Sequence, residues 1–280
     1  MAKNTQNTEQ KVIKDFGDEW SAYPQDNLVG DELNEIFNKY FSIFPQSFLN
    51  SESVGFDMGC GSGRWAKFIA PKVKKLTCID PSSKSLDVAK KNLSEFSNCK
   101  FLKANAEEVT LKDNSQDFGY SLGVLHHVEN TEDSLLNCVN KIKVGSPFLL
   151  YLYYKFDNRG NLYKTLWRFS DFLRRFISYL PFSLKKFLTT LISIFVYLPL
   201  ARFSKFLEIL NINHEWMPLS FYRNSSLYTL RTDSLDRFGT KLEKRYTKKE
   251  IKELMEQCGL ENIVFSDNEP YWVAIGFKSE

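Results

Sequence analysis

Three glycines alternate with Cys60 and Ser62 in the stretch GCGSG, at the end of an apolar run that carries one acidic residue, Asp57. Glycine at positions 59, 61 and 63 leaves the main chain bare, so the turn takes dihedrals closed to other residues and a flat ligand lies directly against backbone. Two further polar positions sharpen the chemistry. Asp80, in CIDPS, falls about twenty residues beyond the loop, where a carboxylate accepts from both hydroxyls of a ribose. Asn105, in KANAEEV and followed by Ala106, offers an amide to the edge of an adenine. A nucleoside with a small charged tail fits this set. The spacing GxGxG followed by Arg64 lacks the last glycine of the dinucleotide fingerprint GxGxxG. The missing glycine argues against a nicotinamide oxidoreductase.

The elements that must hold these residues are readable as an alternation. VGFDMG reads as a first strand and RWAKFIAPKV as the helix after the glycines. KLTCID, CKFLKAN, DFGYSLGV and PFLLYLYY read as four more strands, separated by the helical patterns SSKSLDVAKKNLSEF and TEDSLLNCVNKI. Strands alternating with helices predict a doubly wound, mostly parallel sheet covered on both faces, with ligands at the carboxyl ends of its strands. TKKEIKELMEQCG then reads as a helix with a capping box at Thr247 and Glu250 and a stop at Gly259. LENIVFSDN and YWVAIGFKS close the chain as two strands, bringing the sheet to seven.

The chain has 280 residues, 43% hydrophobic and 25% charged, which suits a folded protein with one full core. The net charge of +3 is too small to suggest nucleic acid. Five cysteines, Cys60, Cys78, Cys99, Cys138 and Cys258, show no CxxC spacing and read as small core residues, not as a metal or disulfide framework. The polar N-terminus has no apolar signal core, so a cytoplasmic location is expected.

The four segments FDMGCGSGRWA, CIDPS, KANAEEV and DNSQDFGYSLGVLHHV, in this order and spacing, resemble the class I S-adenosylmethionine-dependent methyltransferases. The resemblance runs from about Val54 to Tyr154 and resumes near Tyr246. It implies a Rossmann-like sheet and S-adenosylmethionine as cofactor. By the same resemblance Asp57, Gly59, Cys60, Gly61 and Gly63 would hold its methionine moiety. Asp80 and Pro81 would take the ribose, Asn105 and Ala106 the adenine, and Gly123 and Val124 would line the other side. Many relatives have Asp where this chain has Asn105. Trp20 is a candidate lid. His126 and His127 would leave the fourth strand beside the methyl group and are candidate bases, and Tyr153 and Tyr154 are candidates for orienting the acceptor.

The resulting organisation is an N-terminal helical leader or lid (1–50), a cofactor-binding domain (51–154 and 246–280) and a helical cap insertion (155–245). Between Lys155 and Asn211 ten basic residues stand against three acidic ones. NLYKTLWRFSDFLRRFISYL places Leu162, Leu166, Phe169, Leu173, Phe176 and Leu180 on one side, a basic amphipathic helix. FLTTLISIFVYLPL is uncharged but, at fourteen residues, shorter than a bilayer needs. Three placements stay open for 160–210: a cap over an acceptor pocket, a peripheral contact with the inner face of an anionic membrane, or a homodimer surface. The acceptor is expected to be a small or lipid-linked molecule, with Tyr222, Arg223, Tyr228 and Arg231 as contacts. The rival reading is a noncatalytic cofactor-binding module that uses its basic cap to attach to a membrane or partner.

Overall fold

The computed structural model describes residues 2–25 and 31–280, without the side chains of 2–9 and of Leu162. Met1, residues 26–30 of the predicted leader and the Leu162 side chain of the predicted stripe lie outside the described residues. In chain order the elements are α1 (Ala2–Ala22), α2 (Asp31–Phe41), β1 (Val54–Met58), α3 (Ala66–Ile69), β2 (Lys75–Ile79), α4 (Ser83–Asn92) and β3 (Cys99–Leu102). Then follow β4 (Phe118–Leu122), α5 (Thr131–Lys141), β5 (Pro147–Tyr151), α6 (Asn161–Ile177), α7 (Phe182–Ile192) and α8 (Leu198–Ile209). The chain ends with α9 (Leu227–Gly239), α10 (Lys248–Gln257), β6 (Leu260–Phe265) and β7 (Val273–Lys278).

The seven strands form one sheet in the order β3-β2-β1-β4-β5-β7-β6. All pairs are parallel except those made by β7, which runs antiparallel to β5 and β6. The chain steps outward from β1 through β2 to β3 and then returns to β4 on the other side of β1. The order therefore reverses between β1 and β4, and a crevice opens beyond their carboxyl ends. Glycines and phenylalanines interlock across this pair: Gly55 faces Phe118 and Gly119 faces Phe56 in register. A Cβ on either glycine would fall inside the neighbouring ring. Buried side chains from β1, β5, α5, α10 and β7, among them Phe56, Phe148, Leu135, Met255 and Ala274, make the main core.

The helices start where short polar side chains satisfy orphan amides. Ser82 caps α4, Asn130 caps α5, and the predicted capping box at Thr247 and Glu250 opens α10. Gly259, at φ +80°, ends α10 as expected. All five cysteines are free and buried. The N-terminal helix α1 packs on α4, with Gly17 against Ser82 and Asp18 paired with Lys84 at 2.5 Å.

The chain divides into two compact units. The first comprises Leu33–Lys155 and Leu242–Glu280 together with α1; the second is essentially Phe156–Lys241. In the second unit α9 packs on α6 and α7 around a small core of Tyr197, Leu230 and Phe238. The apolar stripe of α6 faces outward in this unit. The stripe residues Leu166, Phe169, Leu173 and Phe176 are exposed, while Asp171, Arg174 and Ser178 are buried. The cause lies at the end of α9, whose last carbonyls have no intrahelical donors. Arg174 donates to Thr240 O at 2.8 Å and Lys185 of α7 to Gly239 O at 3.0 Å, so the polar faces turn inward to reach them.

The uncharged run also differs from expectation. Pro181 separates α6 from α7, but a π turn over Ser193–Tyr197 lets the helix pass Pro199, in the first turn of α8, without a break. The continuous helix Phe182–Ile209 has 28 residues and is long and apolar enough to cross a bilayer. Its length is thus twice that of the uncharged run, because Lys185, Lys186, Arg202 and Lys205 extend it at either end.

Candidate functional site

At the end of β1 the main chain turns through Gly59, Gly61 and Gly63, with φ values of +78°, +53° and +78°. These are left-handed conformations that cost a side chain about 1–2 kcal/mol per residue. Space is equally restrictive: a Cβ at Gly59 would overlap Val124, and one at Gly61 would come within 2.8 Å of the Trp20 indole. The loop is anchored from below, since the Gly59 and Cys60 amides both donate to Ile79 O, at 2.8 and 3.0 Å. From β2, Asp80 accepts from Gly61 N at 3.0 Å through Oδ2 and from Ser82 N at 2.9 Å through Oδ1. Asp80 therefore ties the glycine loop to the α4 N-terminus.

Asp57 sits at the centre of the sheet, flanked in register by Cys78 on β2 and Tyr120 on β4. It is 1% exposed, and its Oδ2 has no hydrogen-bond partner among the described residues. Burial pushes its carboxyl up to about 8; the neighbouring Tyr120 phenol and Arg64 ease the rise and Asp80 adds to it. Burial likewise raises Asp80 to about 6, against the backbone N–H groups of Ser82 and Gly61. Two carboxyls thus stand at the ends of the neighbouring strands β1 and β2 with no salt bridge to either among the described residues, an arrangement that favours a positively charged visitor.

Across the crevice, Gly123 ends β4 at φ +75° with open space where its Cβ would lie, and Val124 packs on Gly59. The structure brings Val124 against the glycine loop. Asn105 and buried Ala106 lie just past β3, where Asn105 precedes a 3₁₀ turn over Ala106–Glu108 and Ala106 O accepts from Asn137 at 2.6 Å. Pro81 continues directly from Asp80. Trp20 lies on the face of Gly61, with the Arg64 guanidinium 5.4 Å from its ring centre and 4.4 Å from that of Trp65. Phe16, one turn earlier on α1, meets the His127 ring at 5.0 Å.

The two histidines occupy a 3₁₀ turn after β4 and differ sharply. His126 is fully buried, stacked at 3.9 Å on both His127 and Tyr153, with neither ring nitrogen partnered among the described residues. Burial, with His127 and Arg245 nearby, holds its imidazole well below the usual range, so it is neutral and a poor base. His127 Nδ1 lies 2.6 Å from Leu242 O. A carbonyl oxygen only accepts, so Nδ1 carries a hydrogen, and in the neutral ring the lone pair is on Nε2.

Composition did not reveal the support behind this pair. Arg245 donates to Glu243 at 2.7 Å and to Tyr154 O at 3.1 Å, and its guanidinium stands 5.2 Å from the Tyr153 ring centre. Tyr246 donates to Thr131 at 2.8 Å and bridges Tyr154. In sequence these residues form part of a charged run, KLEKRY, with no periodicity to assign them. Tyr222 and Arg223 belong to the second unit and are engaged there, with Asp233 at 2.5 Å and Glu208 at 2.8 Å; Tyr228 and Arg231 are half-buried on α9.

Residues 56–150 match a family model described as a methyltransferase domain. Over 113 residues the chain is 35% identical to the ubiquinone biosynthesis O-methyltransferase of Rickettsia bellii, covering 40% of this chain and 45% of that protein. The chain spans less than half the length of the curated relatives it matches. Among solved structures, a methyltransferase of Bacillus halodurans superposes with a TM-score of 0.50 at 13% identity, covering 85% of this chain and 73% of that one. The CurJ carbon methyltransferase gives 0.52 at 9% identity, covering 92% and 57%. Over residues 56–150 the chain is thus similar to a methyltransferase domain, and its strand order, with β7 antiparallel, is that of a doubly wound, mostly parallel sheet.

The residues present fit the cofactor this family implies. The Asp57 Oδ2, without a hydrogen-bond partner among the described residues, suits an ammonium group, and open space adjoins Gly123.

Proposed function

We propose that the chain is a methyltransferase that uses S-adenosylmethionine and acts on a small-molecule or lipid-linked acceptor. The observation that carries this reading is the buried Asp57 carboxyl, whose Oδ2 has no hydrogen-bond partner among the described residues, beside a loop whose glycines leave no room for larger residues. Asp57 and the loop Gly59, Cys60, Gly61 and Gly63 would hold the methionine end, Asp80 and Pro81 the ribose, and Asn105 and Ala106 the adenine. Gly123 and Val124 would form the opposite wall, with Trp20 as lid. When bound, the cofactor supplies an electrophilic methyl group on sulfur, so what is asked of the protein is chiefly alignment of a nucleophile.

Where the acceptor must lose a proton, His127 is the better placed of the two histidines. Leu242 O holds its tautomer with Nε2 unprotonated, as a base requires. His126, neutral and stacked between His127 and Tyr153, positions its neighbour. Tyr153 and Tyr154 would orient the acceptor. A cytoplasmic location, peripheral on the inner face of a membrane, suits the lipid-linked case.

The test is methyl transfer from labelled S-adenosylmethionine to aqueous and lipid extracts. Label is expected in the lipid fraction, with His127→Ala lowering turnover about 10²–10⁴-fold while S-adenosylhomocysteine affinity is unchanged. Label in neither fraction, with cofactor binding intact, would instead support a noncatalytic binding module.

A further inference from the structure

The helices of the second unit are inside out by the standard of a water-soluble bundle. Phe169 and Phe176 on α6 are 64% and 63% exposed, Phe195 in the π turn is 72% and Ile209 on α8 is 68%. Ile194, Phe195 and Val196 are exposed consecutively in the middle of the long helix. Their buried counterparts are Asp171, Arg174, Lys185, Thr189, Ser193 and Ser204. Several of these are bonded within the unit: Arg174 pairs with Asp171 at 2.7 Å, Lys185 donates to Gly239 O at 3.0 Å, and Thr189 O accepts from Ser234 at 2.9 Å. Such a pattern is stable where the surroundings, not the interior, supply the apolar environment.

Charge distinguishes the occupant. Two of the three acids in Lys155–Asn211 are consumed within the unit, Asp171 by Arg174 and Arg175, and Glu208 by Arg223. The face left to the outside is phenylalanine interspersed with exposed Arg168, Arg175 and Lys205. A second copy of the same surface would meet it with like charge, whereas an anionic leaflet offers both hydrocarbon and opposite charge. Connectivity then limits how deep the face goes. The chain leaves the sheet at Tyr154 and rejoins it at Tyr246, and these two residues are bridged to each other. Both ends of the second unit therefore lie on one side of any bilayer, and the number of crossings must be even. Among the described residues one helix is long and apolar enough to cross; α6, with buried Asp171 and Arg174, is not a second.

We propose that α6 and the helix Phe182–Ile209 insert their apolar face into a single leaflet of an anionic membrane without crossing it. As the means by which a lipid-linked acceptor is reached, the proposal rests on the methyl-transfer reading; as a statement about the surface, it does not.

The full chain is floated with sealed vesicles of phosphatidylcholine, alone and mixed with phosphatidylglycerol, while S-adenosylhomocysteine binding is measured on the same preparations. Flotation with the anionic vesicles is expected, weakened by salt. The triple variant Phe169→Ser, Ile194→Ser, Phe195→Ser should lose flotation about tenfold or more with its S-adenosylhomocysteine affinity unchanged. Ser183→Cys and Asn213→Cys, at exposed positions near either end of the long helix, should both react with an impermeant maleimide added outside, since the native cysteines are buried. Wild-type protein that stays down with every vesicle, whether monomeric or as a dimer by sedimentation, overturns the proposal. So does protection of one of the two engineered thiols and not the other. Flotation without S-adenosylhomocysteine binding would count against the methyltransferase reading and leave the docking surface standing.

Discussion

A carboxyl group enclosed at the middle of a parallel sheet, as Asp57 is, has to be kept neutral or be given a cation. The Asp57 group ionises near 3.8 when unfolded and near 8 when folded. Between those values the unfolded chain has released its proton and the folded chain has not, so stability falls as pH rises from about 4 to about 8 and levels off above. Asp80, at about 6, contributes the same sign over the lower part of that window. Asp57→Asn removes the penalty. The ligand-free variant should melt above wild type at pH 8, and the difference should shrink towards pH 4; a difference independent of pH would contradict this account. The same titration predicts that a cationic ligand, by favouring the carboxylate, releases a proton on binding near neutral pH. Calorimetry in buffers of different ionisation enthalpy reads that proton. The chemistry of Asp57, Asp80 and the glycines was readable in the sequence because each depends on residue type and spacing alone. The contact of Trp20 with Gly61 and the hold of Leu242 on His127 span long stretches of chain, and no local pattern encodes them.

At the scale of elements, the sheet was readable because buried parallel strands and their covering helices impose period and length together. The capping box on α10 and the glycine that ends it came from turn chemistry alone. The second unit was not readable in the same way. A 3.6-residue period shows that α6 has an apolar face but not which side water is on, and α9 turns the polar side inward by presenting carbonyls for Arg174 and Lys185. A π turn ahead of Pro199 hid the continuity of the long helix. The glycine loop, by contrast, admits a quantitative test. Gly59→Ala combines a left-handed φ, about 1–2 kcal/mol, with overlap on Val124, about 1–3 kcal/mol. Chemical denaturation should show a loss in that combined range, along with weakened S-adenosylhomocysteine binding. A neutral substitution would mean that the loop is less tightly seated on β4 than its contact with Val124 requires.

For the molecule as a whole, the two units divide the work by the surfaces they present. The first gathers its polar groups at one strand end, around Asp57, Asp80 and the histidine pair. The second hides its polar groups and displays phenylalanine. If both proposals hold, a soluble cofactor and a membrane-borne acceptor are met by separate parts of one chain. The most direct measurement is titration of the purified chain with S-adenosylhomocysteine, beside Asp57→Asn as control. Saturable one-to-one binding by wild type, with proton release at neutral pH and its loss in Asp57→Asn, is the predicted result. A folded wild-type protein that takes up no S-adenosylhomocysteine would contradict the assignment of the glycine crevice as its cofactor site.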